Sequence, residues 1–156
     1  MKYFRRKVLF PERRGTKVEW GRLFEAYRQH LNAIRAELSE DAWKLARLSF
    51  HDARVRAVAV PDKRKVLIKI DGMVCDLLEK TRSKLQLVTL SFSGVKKAWV
   101  PDTVVGDFWL YEEMHLSEIA AFDYQVLLHK DEIRVRADHV ELLFEGRAPN
   151  AHARNL

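Results

Sequence analysis

The stretch LSFHDARVRAVAV, Leu48 to Val60, holds the point at which the chain changes its periodicity. Upstream, Trp20, Leu23, Phe24, Tyr27, Leu31, Ile34 and Leu38 recur at three- and four-residue spacing, while Arg22, Glu25, Arg28, Gln29, Asn32 and Arg35 take the other side. One apolar stripe on a helix needs a surface to dock on. Thr16 followed by Glu19 reads as a capping box that starts this helix. Ser39, backed by Glu40 and Asp41, reads as the N-cap of a second helix carrying Ala42, Leu45, Ala46 and Leu48. Downstream the period falls to two. Val55, Ala57 and Ala59 alternate with Arg54 and Arg56, PDKR from Pro61 supplies a turn, and Val66, Ile68 and Ile70 alternate with Lys65 and Lys69. This is a hairpin.

Working outward, strand patterns continue at LQLVTLSFSG, VKKAWV, DFWLYEEMH, FDYQVLLH, EIRVRA and HVELLFEG. Their short links favour antiparallel neighbours over crossovers. MKYFRRKVLF reads as a short edge strand that stops at PERRG, and Gly72 to Lys84 fits either one or two helical turns or a long hairpin loop. The expected fold is α+β, with N-terminal helices packed on one face of a mostly antiparallel meander sheet of about six or seven strands. Residues 1–146 are expected to form a single domain, and 147–156, without apolar periodicity, a loose tail.

At 156 residues with 32% charged side chains, the chain suits one globular core and is too apolar, at 47%, for wholesale disorder. No run reaches the roughly 18 apolar residues of a membrane helix, and VLF is interrupted by Pro11 before it becomes a signal-peptide core. The expected location is the cytoplasm, with no membrane partner. Cys75 stands alone, which rules out an internal disulfide or a cysteine-based zinc cluster and makes a half-buried, inert thiol the expectation. The net charge of +6 has one source. Lys2, Arg5, Arg6, Lys7, Arg13, Arg14 and Lys17 face only Glu12 in residues 1–17, and the remainder is balanced. Such a segment can contact phosphates, so a nucleic acid is one possible partner, but a short basic run is more often a solvated edge.

Alternation also assigns faces. Phe108, Leu110, Phe122, Tyr124, Val126, Leu128, Ile133, Val135, Val140, Leu142 and Phe144 are expected inside. The other parity presents Trp109, Tyr111, Glu113, His115, Asp123, Gln125, His129, Arg134, Arg136, His139, Glu141 and Glu145, a charged face with two aromatics. Glu112 falls on the inner parity, where a carboxyl needs a partner; a bulge or a sheet end is expected there.

An enzymatic reading gathers His51 and Asp52 with His115, His129 or His139 as a polar or metal-assisted hydrolytic site. No HEXXH, GxSxG, P-loop or GxGxxG supports it. At a helix-to-strand junction, His51 and Asp52 are more simply groups that satisfy leftover backbone donors and acceptors. No catalytic residue, metal or cofactor is assigned.

The opening MKYF, the junction LSFHD, and the later WLYEE, FDYQVLL, EIRV and HVEL resemble an uncharacterised bacterial family of unknown function that carries a Leu-His-Asp turn before a β-rich half. Phe50 stands where that pattern has leucine, and the basic residues between 5 and 14 depart from it. The resemblance implies a fold without assigned activity, akin to immunity-type and regulatory binding proteins. The expected function is therefore non-enzymatic binding of a protein partner, or homodimerisation, through Trp109, Tyr111, Glu113, Arg134 and Arg136.

Overall fold

The computed structural model describes residues 1–10, 19–78 and 84–146. Its helices are α1 (Arg6–Leu9), α2 (Trp20–Ile34, continued by a 3₁₀ turn at Arg35–Glu37) and α3 (Glu40–Arg47). Its strands are β1 (Leu48–Ser49), β2 (Arg54–Asp62), β3 (Lys65–Asp76), β4 (Lys84–Ser93), β5 (Lys97–Trp99), β6 (Trp109–Leu116), β7 (Phe122–Leu128), β8 (Glu132–Ala137) and β9 (His139–Gly146). The fold is α+β, and every strand pairing is antiparallel. The expected tail at 147–156 lies outside the described residues.

The strands curl into two hydrogen-bonded layers. In one, β4 and β9 follow β3 on one side, while β1 and β2 share its other edge; the second runs β5-β8-β7-β6. Their inner faces meet through Phe92 against Phe122 and Tyr124, with ring centroids 6.3 and 5.8 Å apart, and Phe50 edge-on to Trp109 at 5.7 Å. Val66, Ile68 and Ile70 of β3 face Phe92, Leu90 and Val88 of β4 across the register, and all are buried. β2–β4 and β6–β8 are meanders, but β5 returns to β8 and β9 to β4, two long-range pairings that local periodicity does not encode.

Ser39 caps α3 as expected, its hydroxyl accepting the Ala42 amide at 3.3 Å. At α2 the helix begins after Glu19, three residues later than the expected cap at Thr16. Glu19 is itself the N-cap residue and its carboxylate pairs with Arg22 at 2.8 Å, while Thr16 lies outside the described residues. α2 buries Tyr27, Leu31 and Ile34 and packs against β6. Residues 72–76, read as helical turns or loop, are strand, because β1 pairs with Cys75 and Asp76 on one side and β4 with Gly72, Met73 and Val74 on the other. MKYFRRKVLF is not an edge strand: its first residues are irregular and Arg6–Leu9 form a helical turn, for a reason given below.

The junction itself is a tight turn. The Ala53 amide donates to the Phe50 carbonyl at 2.8 Å, and Asp52 sits at φ +64°, a left-handed geometry that aspartate tolerates better than most residues. The chain emerging from this turn bonds reciprocally to the start of β6. Asp52 N donates to Trp109 O, Trp109 N to Ala53 O, and Val55 N to Asp107 O, all at 2.8–3.0 Å. This seam ties the edge of one layer to the edge of the other.

The seam also fixes a glycine. A Cβ on Gly72 would stand 2.4 Å from Ala53 Cα, a backbone atom that cannot swing aside. Gly72→Ala is expected to lower unfolding stability by about 2 kcal/mol or more through backbone displacement. Gly21→Ala, where nothing lies within 4 Å, is expected to add about 0.5–1 kcal/mol by its helix propensity. Urea unfolding of the two variants beside the parent checks both signs.

Candidate functional site

Cross-strand register builds the outer face of the second layer in rows. Lys97, Arg136, Asp123 and His115 stand side by side, as do Trp99, Arg134, Gln125 and Glu113. Seven of these eight carry polar or ionisable groups, so the charged face read from the alternation exists on β6, β7 and β8 from Tyr111 to Arg136, whereas His139, Glu141 and Glu145 belong to β9 in the other layer. Two members of the charged face, Lys97 and Trp99, were absent from that reading. They lie on β5, a three-residue strand too short for alternation to assign, although their shared parity in VKKAWV is the signal that places them together.

The face divides into an open and a covered half. In the open half Asp123 is nearly enclosed and accepts from Arg134 through Nε at 2.9 Å and through Nη2, and from Arg136 Nε at 3.0 Å. Burial alone would raise the Asp123 carboxyl; the two arginines outweigh it and hold it below the usual carboxylate range. Both guanidiniums are thereby set in place, and their remaining nitrogens, with the Lys97 ammonium, meet no acid among the described residues. These side chains and Trp99, the latter 64% exposed, line a hollow of about 50 Å³.

The covered half is closed by the N-terminal segment. Glu113 is fully buried and accepts the amides of Lys2, Tyr3 and Phe4 at 2.6, 2.7 and 2.5 Å, with His115 Nε2 at 2.8 Å. Amides used in this way cannot build a strand ladder, which is why residues 2–4 are not an edge strand. Burial pushes the Glu113 carboxyl up, but the His115 and amide hydrogen bonds prevail and its pKa is lowered. Arg6 completes the clamp, donating to the carbonyls of Leu128 and His129 at 2.7 and 2.8 Å. Phe4 and Trp20 stack on Tyr111 at 5.0 and 5.6 Å. Of the basic segment, Arg6 is thus committed to the fold, Lys2, Arg5 and Lys7 are exposed, and Arg13, Arg14 and Lys17 lie outside the described residues.

Of the five residues read as a binding surface, Arg134 and Arg136 are on the open half. Tyr111 and Glu113 are under the N-terminal cover, and Trp109 is in the core with no exposed surface. The cause is a bulge: Trp109 pairs with Leu128 and Tyr111 with Leu127, so Leu110 has no opposite residue and parity inverts before it. Phe108 accordingly lies outward, 43% exposed, and Leu110 is only half-buried.

The second constellation is dispersed. His51 Nδ1 lies 3.1 Å from Asp52 Oδ2 with both side chains largely exposed on the junction turn. His115 pairs instead with His30 of α2, ring centroids 4.8 Å apart, a residue the sequence reading passed over. Burial lowers the His30 pKa. His129 is exposed where β7 turns toward β8, and His139 opens β9. Among the described residues no three His, Cys, Asp or Glu side chains gather in a metal-holding group. No described helix is long and apolar enough to cross a membrane. Cys75 is half-buried, its Sγ 3.8 Å from the Ser49 carbonyl.

Glu112 points into the core, as its parity requires. Its Oε2 accepts the Trp109 indole N–H at 2.6 Å. Burial drives its pKa up to about 7, while hydrogen bonds from Trp109, Ser49 and Phe50 oppose that rise. A bulge is present at Leu110, two residues before it, and it is what brings the indole within reach.

A family model described as "Protein of unknown function (DUF4085)" matches residues 12–135. No curated protein and no solved structure matches the chain.

Because folding raises the Glu112 pKa, the native state holds this proton more tightly than the unfolded chain, and stability falls as pH rises from about 4.5 to about 7. The loss reaches about 3 kcal/mol at full ionisation, by 1.36 kcal/mol for each pKa unit. Glu112→Gln is expected to remove this component, so that its denaturation midpoint stands nearest the parent's at pH 5 and rises relative to it toward pH 8. Urea titrations at several pH values test the slope.

Proposed function

We propose that this chain, which belongs to the DUF4085 family of unknown function, is a non-enzymatic binding domain that takes an acidic segment of a protein partner on the open half of its charged sheet face. The observation that carries this reading is the surplus of donors around Trp99. Arg134 and Arg136 are locked by a buried aspartate, and their unused nitrogens stand beside Lys97 and a largely exposed indole. An exposed aromatic flanked by oriented guanidiniums is the usual make-up of an interface anchor, since Trp and Arg lose little freedom for the area and hydrogen bonds they supply. Strands hold such groups more rigidly than loops. Carboxylates fit the surplus, because a guanidinium fork donates to them in two-point geometry. In this reading His51 and Asp52 shape the junction turn and have no part in chemistry.

The informative variants are those that leave Asp123 paired. Removing either arginine would weaken the enclosure of a buried carboxylate and confuse stability with binding. Displayed peptide libraries selected on the parent protein are expected to yield acidic sequences bearing an apolar residue. Trp99→Ala should weaken them tenfold or more, which is about 1.4 kcal/mol, and Lys97→Glu should do the same, with melting temperatures unchanged. Selected peptides without acidic enrichment, or with equal affinity for Trp99→Ala, would refute the assignment.

A further inference from the structure

We infer that the outer face of the five-stranded layer is the contact surface of a homodimer, an inference independent of the charged face. The register places Leu67 and Met73 of β3, Leu85 and Leu87 of β4 and Leu143 of β9 on one side, opposite the core-facing Ile68, Val88 and Leu142. Met73, Leu85 and Leu143 are 45%, 46% and 48% exposed. An antiparallel sheet that faces water is ordinarily polar on that side, so uncovered leucines on both central and edge strands mark a surface meant to be met.

Charge identifies the occupant. A two-fold contact brings a surface against itself, so it must carry both signs or none. Here Lys69 and Glu145 form an ion pair at 3.1 Å within the apolar field, and Arg56 pairs with Asp71 at 2.6 Å beside it. Turned about a two-fold axis, these pairs can meet their opposites. The Lys97, Arg134 and Arg136 face cannot, because its cations would meet the same cations. The notion of a homodimer through that charged face is therefore set aside in favour of this one.

The area is adequate for a weak dimer. Four strands about 4.8 Å apart and about seven residues long give a flat footprint of roughly 450 Å² on each protomer. Side-chain relief brings the total buried on pairing to the order of 1,000 Å² or more, the low end of specific interfaces. A dimer of that size dissociates on dilution.

Sedimentation equilibrium of the full chain tests this. The expected result is a mass near 18.3 kDa at low concentration, rising toward twice that value as concentration increases. Leu85→Lys with Leu143→Lys should hold the chain at the monomer mass throughout, with the parent's circular dichroism spectrum, whereas Trp99→Ala should dimerise as the parent does. A parent that stays monomeric up to about 1 mM, the weakest range of specific affinity, overturns the proposal. So does an open-ended series of larger masses, a dimer that survives the double substitution, or one that Trp99→Ala abolishes.

Discussion

The seam between residues 52–55 and 107–109 is the constraint on which the architecture depends. A hairpin layer and a meander layer each leave an edge whose backbone groups need partners, and an unpaired edge invites association with other chains. Here the turn at Phe50–Ala53 directs one edge against the other, so that Asp52, Val55 and Trp109 donate across the gap. Gly72 lets β3 pass behind the turn at a distance no side chain permits. Closing this edge brings Phe50 onto Trp109 and allows the two inner faces to share one core.

The same seam explains what could and could not be read from the residues. Helical stripes and two-residue alternation are local properties, so α2, α3, the hairpin and the outward parity of Glu113, Asp123, Arg134 and Arg136 were all legible. Trp109 was not, because its orientation follows from a bulge set where β6 leaves the seam, and a single unpaired residue reverses every assignment before it. The N-terminal segment misled for a different reason. Its β-favouring composition is overridden by Glu113, more than a hundred residues away, which takes the amides a strand would need. Trp99 and Lys97 escaped because the strand that carries them is three residues long and joins β8 out of sequence order.

The proposed function rests on how the outer surfaces are finished. One half of the charged face is spent inside the molecule, its acid and aromatic groups consumed by the N-terminal clamp. The other half keeps cations and an indole in solvent, oriented by one enclosed aspartate. For the proposed contact with an anion no reorganisation is needed, because the arginines are already held within the folded chain. The opposite layer shows no such bias, its charges cancelling in pairs among leucines.

Two adjacent carboxyls on β6 join these parts. Glu112 and Glu113 point to opposite faces, as neighbours on a strand must, and so cannot act as a catalytic pair. Their surroundings separate their chemistry. Glu112 meets the Trp109 indole N–H and hydrogen bonds from Ser49 and Phe50, but burial outweighs them and brings its pKa near neutrality. Glu113 meets three amides and an imidazole, enough to fill the acceptor sites of a carboxylate, and its pKa is lowered although it too is buried. Each therefore serves packing in the form its environment favours. Glu112 lies in the core beside Trp109, where burial favours its neutral form, and the Glu113 carboxylate anchors a segment whose amides would otherwise be without acceptors. Two such carboxyls on a single strand belong to a scaffold that commits these ionisable groups to its own packing and leaves the cations of β5 and β8 on the open surface.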